Sequence, residues 1–468
     1  MDSKYKVLAS NTLVFAAGNI LVKLISFFLM PLYTNTLTTD QYGIAELLNN
    51  TIEIVLPLAT LCIVEALYRF SLDEEAEHSA LFVNSIFTAG IGIVLVTILS
   101  IILHYIFDYE YAIHFLILYI TTTFYKITSQ FARGLGHIRR YAAYGVINSL
   151  LLVISNIVLL VLLKGGITAY LSSFSIGYGV SGILAFILSK EYKYFRLCNI
   201  NFKIEKKMLQ YSIPSIPNML SWWVNSLSDR YIILCFCGPG IAGLYTAASK
   251  LPAMINVVTS VFQQAWQYST ALEINQKNSK AFFSNVFRVY SYFCILICDV
   301  LIIFNKLMCR LLLQSDFFSA WKFVPLLLLA ATFGCIATYF GTFYNAMKDN
   351  RMLMVSTVVG AIFNIILNII LIPSFGGTGA SIATAVSYLI IMIIRMLNVQ
   401  KHINIDIDLK RLTFQFSLLI VSALFEGLCG LNAIMISILS LGLIFLSDIK
   451  IFKYGISLIR RTLNRNEK

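Results

Sequence analysis

Residues Met208 to Ser249, MLQYSIPSIPNMLSWWVNSLSDRYIILCFCGPGIAGLYTAAS, contain only two charged side chains, the adjacent Asp229 and Arg230. Everything else is apolar, aromatic or small and polar. With Pro214 and Pro217 near its start and Gly238-Pro239-Gly240 near its end, the stretch reads as one membrane-spanning helix, a tight turn and a second span. Ionised groups at membrane depth cost about 2.5–3.5 kcal/mol each on insertion scales, so they face a bundle interior, a partner or a water-filled cavity. Lys250, in the following span, brings the charges available to this hairpin to two cations and one acid.

The rest of the chain has the same character. Over 468 residues, 58% are hydrophobic and 12% charged, too apolar for a water-soluble protein of this length. The composition specifies a polytopic membrane protein. The nine cysteines are scattered without a C-x-x-C pair or zinc-ligand spacing and read as small buried hydrophobes. No metal site, Walker motif or other cofactor signature is found, and the five histidines lie far apart. MDSKYK runs straight into about 25 apolar residues without a small-residue cleavage site, so the start is expected to be a retained first span.

A span needs roughly 20 apolar residues. Segments of that kind fall at about 9–33, 41–68, 80–106, 111–132, 141–163, 167–189, 211–236, 240–269, 281–313, 317–346, 352–372, 377–399, 412–428 and 431–449, fourteen in all. Short loops join them; the longest is expected over 190–210. Sorting the 35 Lys and Arg residues by loop parity places 26 on the side of the N-terminus and only Lys164 and Lys322 opposite. By the positive-inside rule both termini are cytoplasmic. That placement also turns the net charge of +12 into a membrane signal and removes nucleic acid as a partner. Seven basic residues remain inside spans. Lys306, Arg310 and Arg288 lie near span ends and are expected to snorkel; Lys23, Arg230 and Lys250 lie deeper, and Lys126 is intermediate.

Residues 131–165 align with 343–377 without a gap, matching Phe131 to Phe343, Arg139 to Arg351, Asn156 to Asn368 and Gly165 to Gly377. Tyr42-Gly43-Ile44-Ala45 falls opposite Ala242-Gly243-Leu244-Tyr245, 200 residues on. Turns that recur after six spans imply two halves running the same way through the membrane. The expected fold is all-α: two pseudo-symmetric six-helix lobes around a central cavity, plus two C-terminal helices. The expected divisions are an N-lobe over 1–190, a cytoplasmic linker over 191–210, a C-lobe over 211–400, and two spans with a basic tail over 401–468.

Several segments together resemble the multidrug/oligosaccharidyl-lipid/polysaccharide exporter superfamily, and within it the bacterial polysaccharide-unit flippases. They are Ser10-Asn11-Thr12 through Pro31-Leu32-Tyr33-Thr34, Tyr42-Gly43, Leu61 to Phe70, Asp229-Arg230-Tyr231-Ile232-Ile233 and Gly243 to Lys250. The resemblance covers the whole length. It implies a V-shaped bundle that flips an oligosaccharide on polyprenyl pyrophosphate from the cytoplasmic to the external leaflet of the bacterial plasma membrane, for O-antigen, capsule or another surface polysaccharide. It also implies cavity cations that hold the anionic part of the substrate, and makes a polysaccharide polymerase and a chain-length regulator candidate partners.

Lys23, Arg230, Lys250 and Lys126 are therefore the candidate substrate-binding residues, a role for which a planar multi-donor guanidinium is well suited. The plain alternative for each is a structural ion pair, for Arg230 with Asp299 and for Lys23 with Glu53 or Glu65. Asp229, Glu53 and Asp299 are candidates for ion coupling or for pairing with those cations. Glu46 and Glu65 are expected nearer the interfaces, orienting helices. Trp222, Trp223 and Trp266 are as readily packing residues as sugar platforms. Two other function classes stay open: a cation-coupled drug exporter, which would favour an acidic, aromatic cavity, and a membrane enzyme such as a polymerase, which would need a sizeable external loop. The external loops here are only a few residues long.

Overall fold

Thr38 and Gln41 close a reciprocal capping box, Gln41 N–H donating to Thr38 Oγ1 at 3.2 Å and Thr38 N–H to Gln41 Oε1 at 3.1 Å. From there the chain is helical almost without interruption. A computed structural model describes residues 21–448 apart from 23, 26, 74, 107, 275, 277, 278, 348–350, 404 and 430. Among the described residues there is no strand. The helices are α1 Met30–Thr36, α2 Thr39–Ala59, α3 Ile63–Phe70, α4 His78–Ile106, α5 Ala112–Gly134, α6 Ile138–Asn156, α7 Gly166–Leu188, α8 Phe202–Ser212, α9 Ile216–Cys237, α10 Pro239–Lys250, α11 Ala253–Glu273, α12 Ser279–Ile303, α13 Asn305–Leu312, α14 Val324–Met347, α15 Arg351–His402, α16 Leu409–Cys429 and α17 Leu431–Ser447.

Six of these are long and apolar enough to cross a membrane, α6 together with the π-turn at Ile157–Leu162, and the bent pair α2 and α3 makes a seventh. At 1.5 Å per residue the 52 residues of α15 would extend about 78 Å, more than twice a hydrocarbon core. Gly376, at φ 56 and ψ −135, divides it into two spans. The remaining helices of comparable length, α5, α9, α11, α16 and α17, lie where the sequence places the other spans. Each expected span from 41 onward is occupied by helix, and most of the first, 9–33, lies outside the described residues. The chain is an all-α polytopic membrane protein.

Three expected spans are broken. The second is interrupted at Thr60 to Cys62, where Leu61 and Cys62 take positive φ and the two pieces meet at 67°. The eighth divides at Leu251-Pro252, and the ninth at Phe304. Proline removes a backbone donor, which accounts for the second of these breaks. The expected loop over 190–210 also holds a helix, α8, capped by Asn201 Oδ1 accepting from Lys203 N–H at 3.0 Å and Ile204 N–H at 3.4 Å. It is amphipathic, burying Met208 against Ile63, Leu67, Phe82 and Phe131. Side-chain bonds from Asn84 to Asn201 and from Thr88 to Glu205 fasten it to α4.

The described residues form two compact units. One runs up to Tyr231 and includes Gly238–Gly243; the other comprises Ile232–Cys237 and the chain from Leu244 onward. In the first unit, Gly43 and Gly243, aligned by the internal repeat, meet at a helix crossing. A Cβ on Gly43 would lie 2.2 Å from the Pro239 carbonyl oxygen, and one on Gly243 2.1 Å from that of Thr39. Only glycine allows that approach. In the second unit α14 is the central helix, most of its apolar length buried. Trp266 of α11 is stacked on Tyr339 of α14 at 4.6 Å and donates Nε1–H to the Tyr339 carbonyl at 3.3 Å.

Candidate functional site

In the first unit α2, α5, α7 and the N-terminal part of α9 bring charged and tyrosine side chains together. Tyr231 shares a 2.9 Å hydrogen bond with Thr51 Oγ1, donates to the Leu47 carbonyl at 3.1 Å, and lies 5.1 Å from the Trp223 ring. Arg230, half-buried beside it, donates from Nη1 to the Ser226 carbonyl one turn back at 2.9 Å. That bond aims the guanidinium along α9. Its charge reaches the Tyr42 and Tyr231 hydroxyls. Asp229 is buried at 3% exposure. Adjacent helix positions point about 100° apart, so the two side chains leave α9 in different directions.

Glu53, one helical turn and a half beyond Leu47 on α2, is exposed and acts electrostatically on Tyr178 and Tyr231. Tyr178 lies 5.5 Å from Tyr125, the neighbour of half-buried Lys126 on α5. Arg230 and Glu53 thus both act on Tyr231, Glu53 also acts on Tyr178, and Asp229 and Lys126 are neighbours in sequence of this group. Such a surface offers cationic donors for phosphate oxygens and tyrosine faces and hydroxyls for sugars.

A buried acid that the sequence reading placed near an interface lies deep in the same unit. Glu46 is 4% exposed, and its Oε1 accepts from Tyr42 at 3.1 Å and Tyr170 at 2.9 Å. Tyr33 joins them, its ring 5.0 Å from Tyr170 and its hydroxyl accepting from Asn156 Nδ2 at 3.2 Å. The i, i+4 spacing of Tyr42 and Glu46 is the local signal for this network; Tyr170, 124 positions further on, carries none.

The other candidates lie elsewhere. Lys23 falls outside the described residues. Lys250 belongs to the second unit and ends α10 at the break inside the eighth span, just before Pro252, where its charge complements the helix C-terminus. Asp299 is fully buried on α12 beside Ser422 and Ser440. Trp266 is a packing residue, 3% exposed. Two cations expected to snorkel have partners: Arg288 pairs with Asp448 at 2.6 Å, and Lys306 pairs with Glu426 at 3.5 Å while covering the Trp321 ring at 4.4 Å. Arg395, one of the 26 basic residues that loop parity placed on the side of the N-terminus, is buried in the second half of α15, donating to Ser356 Oγ, Thr357 Oγ1 and the Ala337 carbonyl. These acids and acceptors are between 38 and 160 residues away in sequence, a separation that local pattern does not bridge. Among the described residues no group of three His, Cys, Asp or Glu side chains is placed to hold a metal.

A family model described as polysaccharide biosynthesis protein matches residues 8–267, more than half of the chain. The probable low-salt glycan biosynthesis flippase Agl15 of Haloferax volcanii is 24% identical over 282 residues, 58% of this chain and 59% of that protein. The match thus spans less than two thirds of that relative. Among solved structures, the lipid II flippase MurJ in an inward closed conformation superposes with a TM-score of 0.70 at 17% identity, over 96% of this chain and 100% of its own. The Vibrio cholerae MATE transporter VcmN gives 0.59 at 15% identity, over 85% and 96%. At these identities the likeness is one of fold.

Proposed function

Since this chain belongs to the polysaccharide biosynthesis protein family, we propose that it is a flippase that carries a polyprenyl-pyrophosphate-linked oligosaccharide across the bacterial plasma membrane for surface polysaccharide synthesis. The observation that carries the reading is the family match over residues 8–267, and the setting of Arg230 among Tyr231, Trp223 and Glu53 supports it. In this reading the protein alternates access between the two leaflets. Arg230, Lys126, Lys250 and Lys23 hold the pyrophosphate, whose oxygens accept the charge-assisted bonds that guanidinium and ammonium groups donate. The lipid tail stays among the apolar helix faces. Asp229, Glu53 and Asp299 neutralise those cations between cycles or exchange a coupling ion. Both termini and the linker carrying α8 are cytoplasmic, as the basic residues indicate.

A second reading is a cation-coupled multidrug exporter. It is favoured by one observation, the presence of buried acids at Glu46 and Asp299. Complementation separates the two. In cells lacking their own polysaccharide-unit flippase, the first reading predicts restored surface polysaccharide and no change in resistance to cationic dyes. Dye extrusion without restored polysaccharide would replace it with the second.

A further inference from the structure

Asp299 lies one turn before the C-terminal end of α12, and two ion pairs flank it. Toward the N-terminal end of that helix, Arg288 is held by Asp448, which also pairs with Arg411 of α16. Beyond its other end, Lys306 is held by Glu426. Arg288 lies 11 residues before Asp299 on the same helix and Lys306 lies beyond the break at Phe304, and each has its own acid. Asp299 is fully buried, forms no ion pair among the described residues, and neither carboxylate oxygen completes a hydrogen bond there. A lone carboxylate at such depth is costly enough that a compensating charge is required.

Two hydroxyls face it, Ser422 of α16 and Ser440 of α17. Both residues are buried, and neither hydroxyl completes a hydrogen bond among the described residues. Several buried helical serines of this protein return their proton to the carbonyl four residues back, as Ser173, Ser175, Ser381 and Ser387 do, while Ser181 and Ser212 do not. Ser422 and Ser440 have forgone that bond and turn toward the Asp299 carboxylate instead, so each places a hydroxyl oxygen beside it. Ser437, one turn from Ser440, is likewise buried without a bond. The titratable neighbours are the Cys298 thiol on α12, Glu426 one turn along α16 and Asp448 two turns along α17, both acids already paired; α14, packed on the far side, carries no charged residue.

We propose that Asp299, Ser422 and Ser440 form a binding site for one monovalent cation, a proton or Na⁺, between α12 and the two C-terminal helices. One carboxylate and two neutral oxygens balance a single positive charge; a divalent ion would leave a net charge buried. A proton turns the carboxylate into a neutral acid that donates to a serine oxygen. Sodium takes one carboxylate oxygen and the two hydroxyl oxygens as ligands. That occupancy drives transport rests on the flippase reading; that the site binds a cation does not.

The test is binding, read without transport. Thermal midpoints of the purified full-length protein are measured across 0–200 mM Na⁺, with choline keeping the ionic strength constant, at pH 5.5, 7.5 and 9, for wild type and Asp299→Asn. The amide has the same shape and no charge. Wild type should be stabilised by Na⁺, by acid or by both, and Asp299→Asn should lose that component whatever other groups contribute. If Na⁺ is the ligand, Ser440→Ala shifts the midpoint for Na⁺ upward about tenfold, the loss expected for one bond to a charged group; if a proton, Ser440→Ala leaves the Na⁺ titration flat. In wild type, dicyclohexylcarbodiimide, an apolar reagent for protonated carboxyls, should modify the Asp299 peptide faster at pH 5.5 than at pH 9, and Na⁺ should protect it in the sodium case. The proposal is overturned if Asp299→Asn responds to Na⁺ and pH as wild type does. Should that variant not fold, absence of both acid-dependent modification and Na⁺ protection overturns it equally.

Discussion

Arg230 illustrates what a single residue discloses and what it withholds. Its depth and charge are plain from a stretch in which only its neighbour Asp229 is also ionised. Its surroundings, Tyr231 tied to Thr51 and Trp223 at 5.1 Å, come from a helix some 180 positions earlier and from the turns of its own helix. Under the proposed function, Arg230→Ala lowers the initial rate of glycan export about 10- to 100-fold at matched membrane abundance, the equivalent of one or two charge-assisted bonds. Arg230→Lys restores part of it, since an ammonium keeps the charge but not the planar fork. Equal rates for all three proteins would make the charge structural. The same limit hid Glu46: its Tyr42 partner is local, but Tyr170 is not. It also hid the Arg288–Asp448 pair, whose members are 160 residues apart.

At the scale of elements, periodicity and turn residues located the helices well, because an apolar run of about 20 residues that must satisfy its backbone within itself in lipid is helical. What they missed were interruptions inside apolar runs and a helix inside a polar one. The break at Leu61-Cys62 rests on positive φ at two ordinary residues, which no sequence rule calls for. The crossing of α2 and α10 was half legible: the repeat aligns Gly43 with Gly243, but only the fold brings them together. Gly243→Ala places a Cβ 2.1 Å from a backbone oxygen, so the helices must part, at a cost of about 1–3 kcal/mol. A lower thermal midpoint for Gly243→Ala, with little further loss on adding Gly43→Ala, is the expected result, since both act on one contact.

The linker offers a pH-dependent case. Glu191 is fully buried, its oxygens lack hydrogen bonds among the described residues, and burial pushes its carboxyl from an ordinary 4.5 up to about 9. A raised carboxyl pKa favours the fold below the unfolded value, and that advantage is lost as pH rises toward 9. Glu191→Gln, neutral throughout, should therefore match wild type near pH 4.5 and exceed it in thermal midpoint by a margin that widens to pH 9. A margin that does not change with pH would mean that the carboxyl is not held neutral.

For the whole molecule, length, apolarity and loop parity gave an all-α polytopic protein, because membrane insertion imposes strong and repeated rules on sequence. The parity argument is directly checkable. A fluorescent protein fused after Asn199 should fold on the cytoplasmic side, and alkaline phosphatase fused after Lys164 should be active on the opposite side; the reverse pattern would invert the topology. Substrate is a different matter, since sugar contacts spread over many polar groups leave no spacing to read. The most direct test of the central claim is whether purified protein in liposomes moves a polyprenyl-pyrophosphate oligosaccharide between leaflets, scored by a glycosidase that cannot enter the vesicles. The account predicts that the protein makes the inner-leaflet pool accessible, with a slower rate for Arg230→Ala. An inner pool that stays protected at the rate of protein-free liposomes would contradict it.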